Sequence, residues 1–323
     1  MQMLVNYTWL QKTKHQLLDI IKRNAQAIML YGHQGIGKKS LSLWLAKILL
    51  CENTNTAANQ DKSCNSCSAC HLFDIFQHPD LHILDYKDEK FADTNNIGID
   101  NIHNLISGLQ QTPHMGKMQA VIIYTIEQLT IAASNALLKT LEEPNNKTIF
   151  IIISHNIKKV MPTILSRCIS INIPHPDKHQ GIEWINQNSH NIPDTIKNLF
   201  AHKPLLSRNY DENIYINTIG FLTNPHINEL KIDSKKTQQL SQILNIFSYW
   251  LFDLLYYIYR GKTKYFSEIN LLKKYAASLS IEKIYICWQY LLEAGQYNNF
   301  NLNIKLILSM LTHKYQDIFT IND

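Results

Sequence analysis

Val121-Ile122-Ile123-Tyr124, then Ser134-Asn135-Ala136-Leu137-Leu138-Lys139-Thr140-Leu141-Glu142-Glu143-Pro144, then Thr148-Ile149-Phe150-Ile151-Ile152-Ile153: these three pieces of the stretch from Ala120 to Arg167 decide the fold. Each outer run is apolar and has the length of a strand buried on both faces. The middle piece predicts a helix. Ala132, Ala133, Ala136, Leu137 and Leu141 recur at helical spacing, Thr130 stands where an N-cap belongs, and Pro144 stops the helix at the glutamates. Strand, helix, strand is a parallel crossover unit.

The stretch closes with Pro162-Thr163-Ile164-Leu165-Ser166-Arg167-Cys168 and a further β-like run from Ile169 to Ile173. Asn-Ala-Leu-Leu-Lys-Thr-Leu-Glu-Glu-Pro, a buried strand and then Ser-Arg-Cys together resemble the AAA+ clamp-loader subunits of bacterial DNA polymerase III. The resemblance implies an α/β AAA+ fold: a P-loop NTPase-like parallel sheet with helices on both faces and a zinc module. A small helical lid and an all-α C-terminal collar domain would follow. It also implies that Arg167, with Ser166 and Cys168 as its motif, is an arginine finger projected into the ATP site of a neighbouring subunit.

Upstream, Trp9 to Arg23 carries Leu10, Leu17, Leu18, Ile20 and Ile21 at helical spacing, and Ala27-Ile28-Met29-Leu30-Tyr31 reads as a strand. Directly after it comes Gly32-His33-Gln34-Gly35-Ile36-Gly37-Lys38-Lys39-Ser40, a phosphate-binding loop with a strand before it and a helix behind. Its glycines let backbone amides turn onto a phosphate, the helix N-terminus adds its dipole, and Lys38 would reach the β and γ phosphates. The candidate nucleotide-binding residues are Gly32, Gly35, Gly37, Lys38, Lys39 and Ser40. The pattern breaks at Lys39, where the consensus has a Ser or Thr hydroxyl on magnesium. Ser40 is no substitute, because one residue further along a helix points about 100° away. The resemblance adds a second departure. Motor subunits of the family end the strand that corresponds to Val121–Tyr124 with Asp-Glu, which hold magnesium and align the attacking water. The matching positions here are Tyr124 and Thr125, with Glu127 past the strand end. Two losses at the magnesium site argue against hydrolysis and leave silent nucleotide binding or none as readings of the loop.

The helix after the loop buries Leu41, Leu45, Ile48 and Leu49 and ends at Cys51; the polar run Glu52 to Ser63 then offers nothing to a core. It leads to Cys64, Cys67 and Cys70, so the cysteines are spaced C-x12-C-x2-C-x2-C. Four thiols with three tightly packed suit a closed tetrahedral zinc site, structural because no position is left for water. An iron–sulfur cluster also suits tight cysteine spacing, and unliganded thiols are the third reading. The resemblance implies a four-cysteine zinc module at this place. His71 and His82 are candidate replacement ligands that read better as surface or core residues. Gln77-His78-Pro79-Asp80 predicts a turn, His82 to Asp85 a strand, and Ile97-Gly98-Ile99-Asp100 a helix start capped by Asp100 with Ile102, Leu105 and Leu109 inward. Cys168 and Cys287 read as core cysteines.

A formal net charge of +5 over 323 residues, with no Lys/Arg run, describes a solvated surface rather than a nucleic-acid stripe. The start, Met1 to Tyr7, lacks the basic residues and apolar run of a secretory signal, and Ile243 to Tyr259 is interrupted by Asn245 and Asp253. A cytoplasmic protein with no membrane contact is expected, its six cysteines reduced. Pro174, Pro176 and Asp177 to Gln180 predict a linker, giving three domains: 1–173 with the cysteine module at 51–70, a helical lid at 174–211, and a helical domain at 212–323. In the last, Leu240, Ile243, Leu244, Phe247, Leu251, Leu254, Leu255 and Ile258 form one apolar stripe and Leu302, Leu306, Leu308 and Leu311 another, punctuated by Gly261 and Gly295.

The resemblance then implies a non-hydrolysing subunit that completes a neighbour's ATP site while the loader places the sliding clamp on primed DNA. Its partners would be the gamma/tau motor subunits and the delta subunit, with clamp and primer-template DNA met through the complex. Such a chain assists ATP hydrolysis in trans within a DNA-directed DNA polymerase, a nucleotidyltransferase, without a catalytic site of its own. An active gamma-type ATPase is opposed by Lys39, Tyr124 and Thr125. A zinc-dependent nucleic-acid-binding module is opposed by Asn65, Ser66, Ser68 and Ala69, which offer no basic or aromatic face.

Overall fold

Five parallel strands, β1 (Ala27–Tyr31), β2 (Leu81–Asp85), β3 (Gln119–Tyr124), β4 (Thr148–Ser154) and β5 (Ile169–Asn172), form one sheet in the order β2-β3-β4-β1-β5. The computed structural model describes residues 7–54, 62–85, 96–115, 117–144, 147–188, 192–226, 230, 237–266, 270–297 and 304–319. The chain divides into two compact units, Met1–Gln187 with Ala201–Leu206, and Asn188–Phe200 with Ser207–Asp323.

In the first unit the central strands are buried along nearly their whole length, as their apolar centres require. Register is set by pairs such as Ala27 with Phe150 and Val121 with Phe150. Alternation then sorts the side chains. Met29, Val121, Ile123, Phe150 and Ile152 join one core with α4 (Ile99–Leu109), α5 (Ile131–Glu142) and α6 (Pro162–Leu165). Ile28, Leu30, Ile122 and Ile151 are equally buried on the alternate face, and α2 (Lys38–Leu50) lies against β1, β3 and β4. The edge strand β5 leaves Ile169 exposed.

Helix boundaries follow local chemistry. A short 3-10 turn, Thr8–Leu10, precedes α1 (Gln11–Lys22). Thr130 caps α5 by accepting a hydrogen bond from the Ala133 amide, and the helix ends before Pro144. Asp100 does not cap α4. The cap position is Gly98, and Asp100 sits in the first turn, where its carboxylate complements the helix dipole. His78 is a buried turn residue whose Nδ1 accepts from the Asp80 amide, and Asp80 accepts from the amides of His114 and Met115.

The second unit is helical: after α7 (Lys178–Asn188), which crosses into it, come α8 (Asp194–Phe200), α9 (Glu212–Thr223), α10 (Thr237–Arg260), α11 (Asn270–Ser278), α12 (Ile281–Tyr297) and α13 (Ile304–Ile318). Gly261, at φ 64°, ends α10 as expected, but Gly295 lies inside α12. The stripe on α10 is buried from Leu240 to Leu254, with Leu255 and Ile258 half-buried. On α13, Leu308 and Leu311 are buried whereas Leu306 is exposed; the inward positions are Ile307, Leu308, Leu311 and Tyr315, a helical face that a reading by leucine alone misses. Leu302 and the polar residues 55–61 lie outside the described residues. Among the described residues no helix is long and apolar enough to cross a membrane.

The polar break in the α10 stripe has a purpose. Asp253 is fully buried and accepts hydrogen bonds from the amides of Lys264, Tyr265 and Phe266 at 2.7–3.0 Å, pinning the turn after α10. Asp253→Ala strands three amides and is expected to cost about 3 kcal/mol or more, read as a lowered urea midpoint for the second unit.

Candidate functional site

The carboxyl ends of β1 to β4 gather the site. The loop after β1 takes left-handed backbone at Gly35 (φ 82°) and Gly37 (φ 100°), and α2 starts directly at Lys38. A Cβ at Gly37 would lie 2.9 Å from the Tyr7 ring, and one at Gly35 would lie 2.6 Å from the Leu206 side chain. Tyr7 stacks on Trp9, whose indole donates to the Ile36 carbonyl, and the Tyr7 hydroxyl meets Ser40 Oγ at 3.3 Å. The loop is thus covered from two sides.

Lys38 is buried at 3% exposure, and its ammonium donates to its own loop's carbonyls at Gly32 (2.5 Å) and His33 (2.6 Å). Burial pulls its pKa down to about 7, against the opposing pull of the Glu127 carboxylate. Lys39 pairs with Asp85 at the end of β2 and lies 5.2 Å over the Tyr124 ring. Strand register puts Asp85 beside Tyr124. An ammonium held by a carboxylate therefore sits next to the position where the motor pattern has its magnesium acid. Glu127 is bound to β4: one carboxylate oxygen accepts from Ser154 Oγ and the amides of His155 and Asn156 at 2.6–2.7 Å. Sequence reasoning missed both acids' partners. Asp85 had a signal, as the last residue of a strand, and Glu127 had one, as an acid just past its own strand.

The cysteine cluster is built where α2 ends. Cys51 is the C-cap of α2, Cys67 caps α3 (Ser68–Asp74), and Cys70 lies within α3. The four Sγ atoms of Cys51, Cys64, Cys67 and Cys70 all lie within 4.8 Å of one another, with Cys51–Cys67 at 4.0 Å and Cys64–Cys70 at 3.9 Å. A tetrahedron with 2.3 Å metal–sulfur bonds has edges of about 3.8 Å, so the set can hold a metal ion. Hydrogen bonds from Ser66 bring the Cys64 thiol down to about 5, while burial raises Cys51 and Cys70. Lys47 bridges to Asp74 at 2.8 and 2.9 Å, tying α2 to α3, and Lys117 donates to the Cys51 carbonyl. His71 and His82 are outside the cluster.

Arg167 follows α6 and keeps part of its guanidinium exposed, bonded to Thr163, Ser166 and Glu142. Cys168 packs at the edge of the sheet core, where burial raises its pKa to about 12; Cys287, in α12, is fully buried and raised likewise to about 12.

A family model described as DNA polymerase III, delta subunit, matches residues 10–177. The chain belongs to this family. Among its relatives, subunit delta′ of DNA polymerase III from Pseudomonas aeruginosa is 34% identical over 179 residues, 55% of this chain and 52% of that one. The Haemophilus influenzae delta′ subunit is 32% identical over 185 residues, covering 57% and 54%. Subunit tau of Bacillus subtilis is 35% identical over 147 residues, covering 46% of this chain and 24% of that one. The chain thus spans about half the length of the curated delta′ relatives it matches. The matched half of this delta-family chain holds the sheet, the phosphate loop, the four cysteines and Arg167, and its AAA+ fold with a helical C-terminal region agrees with the resemblance.

Lys38 gives a pH signature. Below about pH 7 it is charged in the folded and unfolded chain, and the cost of burying the charge is fully present. Between 7 and lysine's ordinary 10.5 the unfolded chain binds the extra proton, so folding stability rises with pH. The thermal midpoint of the wild-type chain is expected to rise relative to that of Lys38→Met over this window and to run parallel to it below.

Proposed function

We propose that the chain is the delta′ subunit of a DNA polymerase III clamp loader: a non-hydrolysing stator that donates Arg167 to the ATP site of an adjacent gamma/tau motor subunit. In this role it acts in the cytoplasm beside the delta subunit, while the assembled loader opens the sliding clamp and sets it on primer-template DNA. The observation that carries the non-hydrolysing part is the Lys39–Asp85 ion pair over Tyr124. A cation already neutralises Asp85, the acid beside Tyr124, and neither Tyr124 nor Thr125 can bind magnesium or align water. Lys38, bonded within its own loop, supports a phosphate loop kept as a structural element. Residues 1–173 would carry Arg167, 174–211 a lid segment, and 212–323 the collar that joins subunits.

Arg167 would stabilise charge on the transferring phosphoryl oxygens of the neighbour's nucleotide. Its loss at the site it serves is worth about 10³-fold or more in rate. In a loader reconstituted from this chain and its partner subunits, Arg167→Ala is expected to lower clamp- and DNA-stimulated ATP hydrolysis, and the isolated chain to show none. A comparable loss on Lys38→Ala would locate hydrolysis at this chain's own loop and overturn the reading.

For the metal, the four-thiolate set favours zinc in a structural role, because Cys51, Cys64, Cys67 and Cys70 fill all four tetrahedral positions. Bound zinc would tie α3 to the end of α2, supplying the order that the polar stretch between them cannot draw from burial. The purified chain is expected to hold one zinc per molecule by elemental analysis. Stripping it with a chelator should lower the thermal midpoint, and Cys67→Ser should do the same.

A further inference from the structure

Leu141-Glu142-Glu143-Pro144 is used by the fold as a helix stop and by the proposed function not at all. Its first carboxylate reaches across to the Ser-Arg-Cys segment. Glu142, the last residue of α5, forms an ion pair with Nη2 of Arg167. On the other edge of the guanidinium, Nη1 donates to the Thr163 carbonyl at 2.7 Å and lies 3.2 Å from Ser166 Oγ. Nε is buried with no partner among the described residues. Nη1 is therefore committed to α6 and Nε is shielded. Only Nη2 has N–H groups to offer an approaching phosphoryl oxygen, and one of them is held by Glu142.

We propose that Glu142 is a positioning residue: its carboxylate cradles Arg167 as an intramolecular substitute for phosphate, and the phosphoryl oxygens of the neighbour's ATP displace it. This rests on the reading of Arg167 as a trans-acting finger. A carboxylate offers a guanidinium the same paired anionic oxygens as a phosphate, at lower charge. The location of Glu142 supports a dedicated partnership. A carboxylate in the last turn of a helix faces the negative end of the dipole, an unfavourable place that Arg167 compensates. Pro144 fixes where the helix stops and hence where that carboxylate stands. The pair is also built to yield, since the side chains are 29% exposed for Arg167 and 47% for Glu142, and exposed pairs are weak and screened by salt. It occupies the arginine in the absence of nucleotide without holding it against a stronger anion.

The test is steady-state ATP hydrolysis by the reconstituted loader carrying Glu142→Gln, with Glu143→Gln and Arg167→Ala alongside. The first substitution keeps the size of the side chain and removes its charge; Glu143→Gln removes the same charge one residue away. Glu142→Gln is expected to lower the KM for ATP about two- to five-fold with kcat near that of the wild type, a range set by the strength of exposed pairs. The difference should shrink as salt is raised, which a merely structural role would not produce. Glu143→Gln should keep the wild-type KM. Equal KM values for the two glutamine variants, or a raised KM for Glu142→Gln, overturn the cradle. If Arg167→Ala itself leaves turnover unchanged, the finger reading fails and the cradle with it.

Discussion

The buried parallel ladder of β3, β4 and β1 is the constraint on which the rest of the first unit depends. Backbone groups in those strands have no access to water, so they must pair with each other, and their side chains leave no polar face to turn outward. Parallel pairing forces every return of the chain over the sheet, and it brings all the strand ends that carry chemistry to one edge. The loop at Gly32 to Lys39, Asp85, Tyr124 and Glu127 are neighbours for that reason alone.

At that edge Lys38, Lys39 and Glu127 are matched within the chain. A nucleotide site of this type balances phosphate with lysine and magnesium with carboxylates. Here Lys38 bonds to carbonyls of its own loop, Lys39 takes Asp85, and Glu127 caps the end of β4. These three side chains have partners inside the chain, in surroundings where an unpaired charge would be costly.

The cysteine cluster solves a different problem. Besides its cysteines, the sequence between α2 and α3 has only Ala57 and Ala58 as apolar residues, and the two helices are joined by a few strong links: four thiols, the Lys47–Asp74 pair and the bond from Lys117 to the Cys51 carbonyl. The helical second unit uses buried polar links sparingly and for the same end. Trp250 donates to Tyr315, Tyr315 donates to the Leu222 carbonyl, and Asp253 fixes the turn after α10.

Much of this was legible in the sequence, because local signals act over a few residues. Apolar runs determined the strands, Thr130 and Pro144 bounded α5, the glycines marked the loop after β1, and the cysteine spacing announced a four-thiol cluster. Errors arose where a local signal had two outcomes, as with Asp100 beside Gly98, or where the inward face was read from leucines alone, as at Leu306. What only the tertiary structure decided were pairings between distant residues: Lys39 with Asp85 across 46 positions, Glu127 with the His155 amide across 28, and Glu142 with Arg167 across 25. These depend on strand order and on where a helix ends against its neighbour. A charged side chain is compatible with many partners, and only the folded geometry selects one.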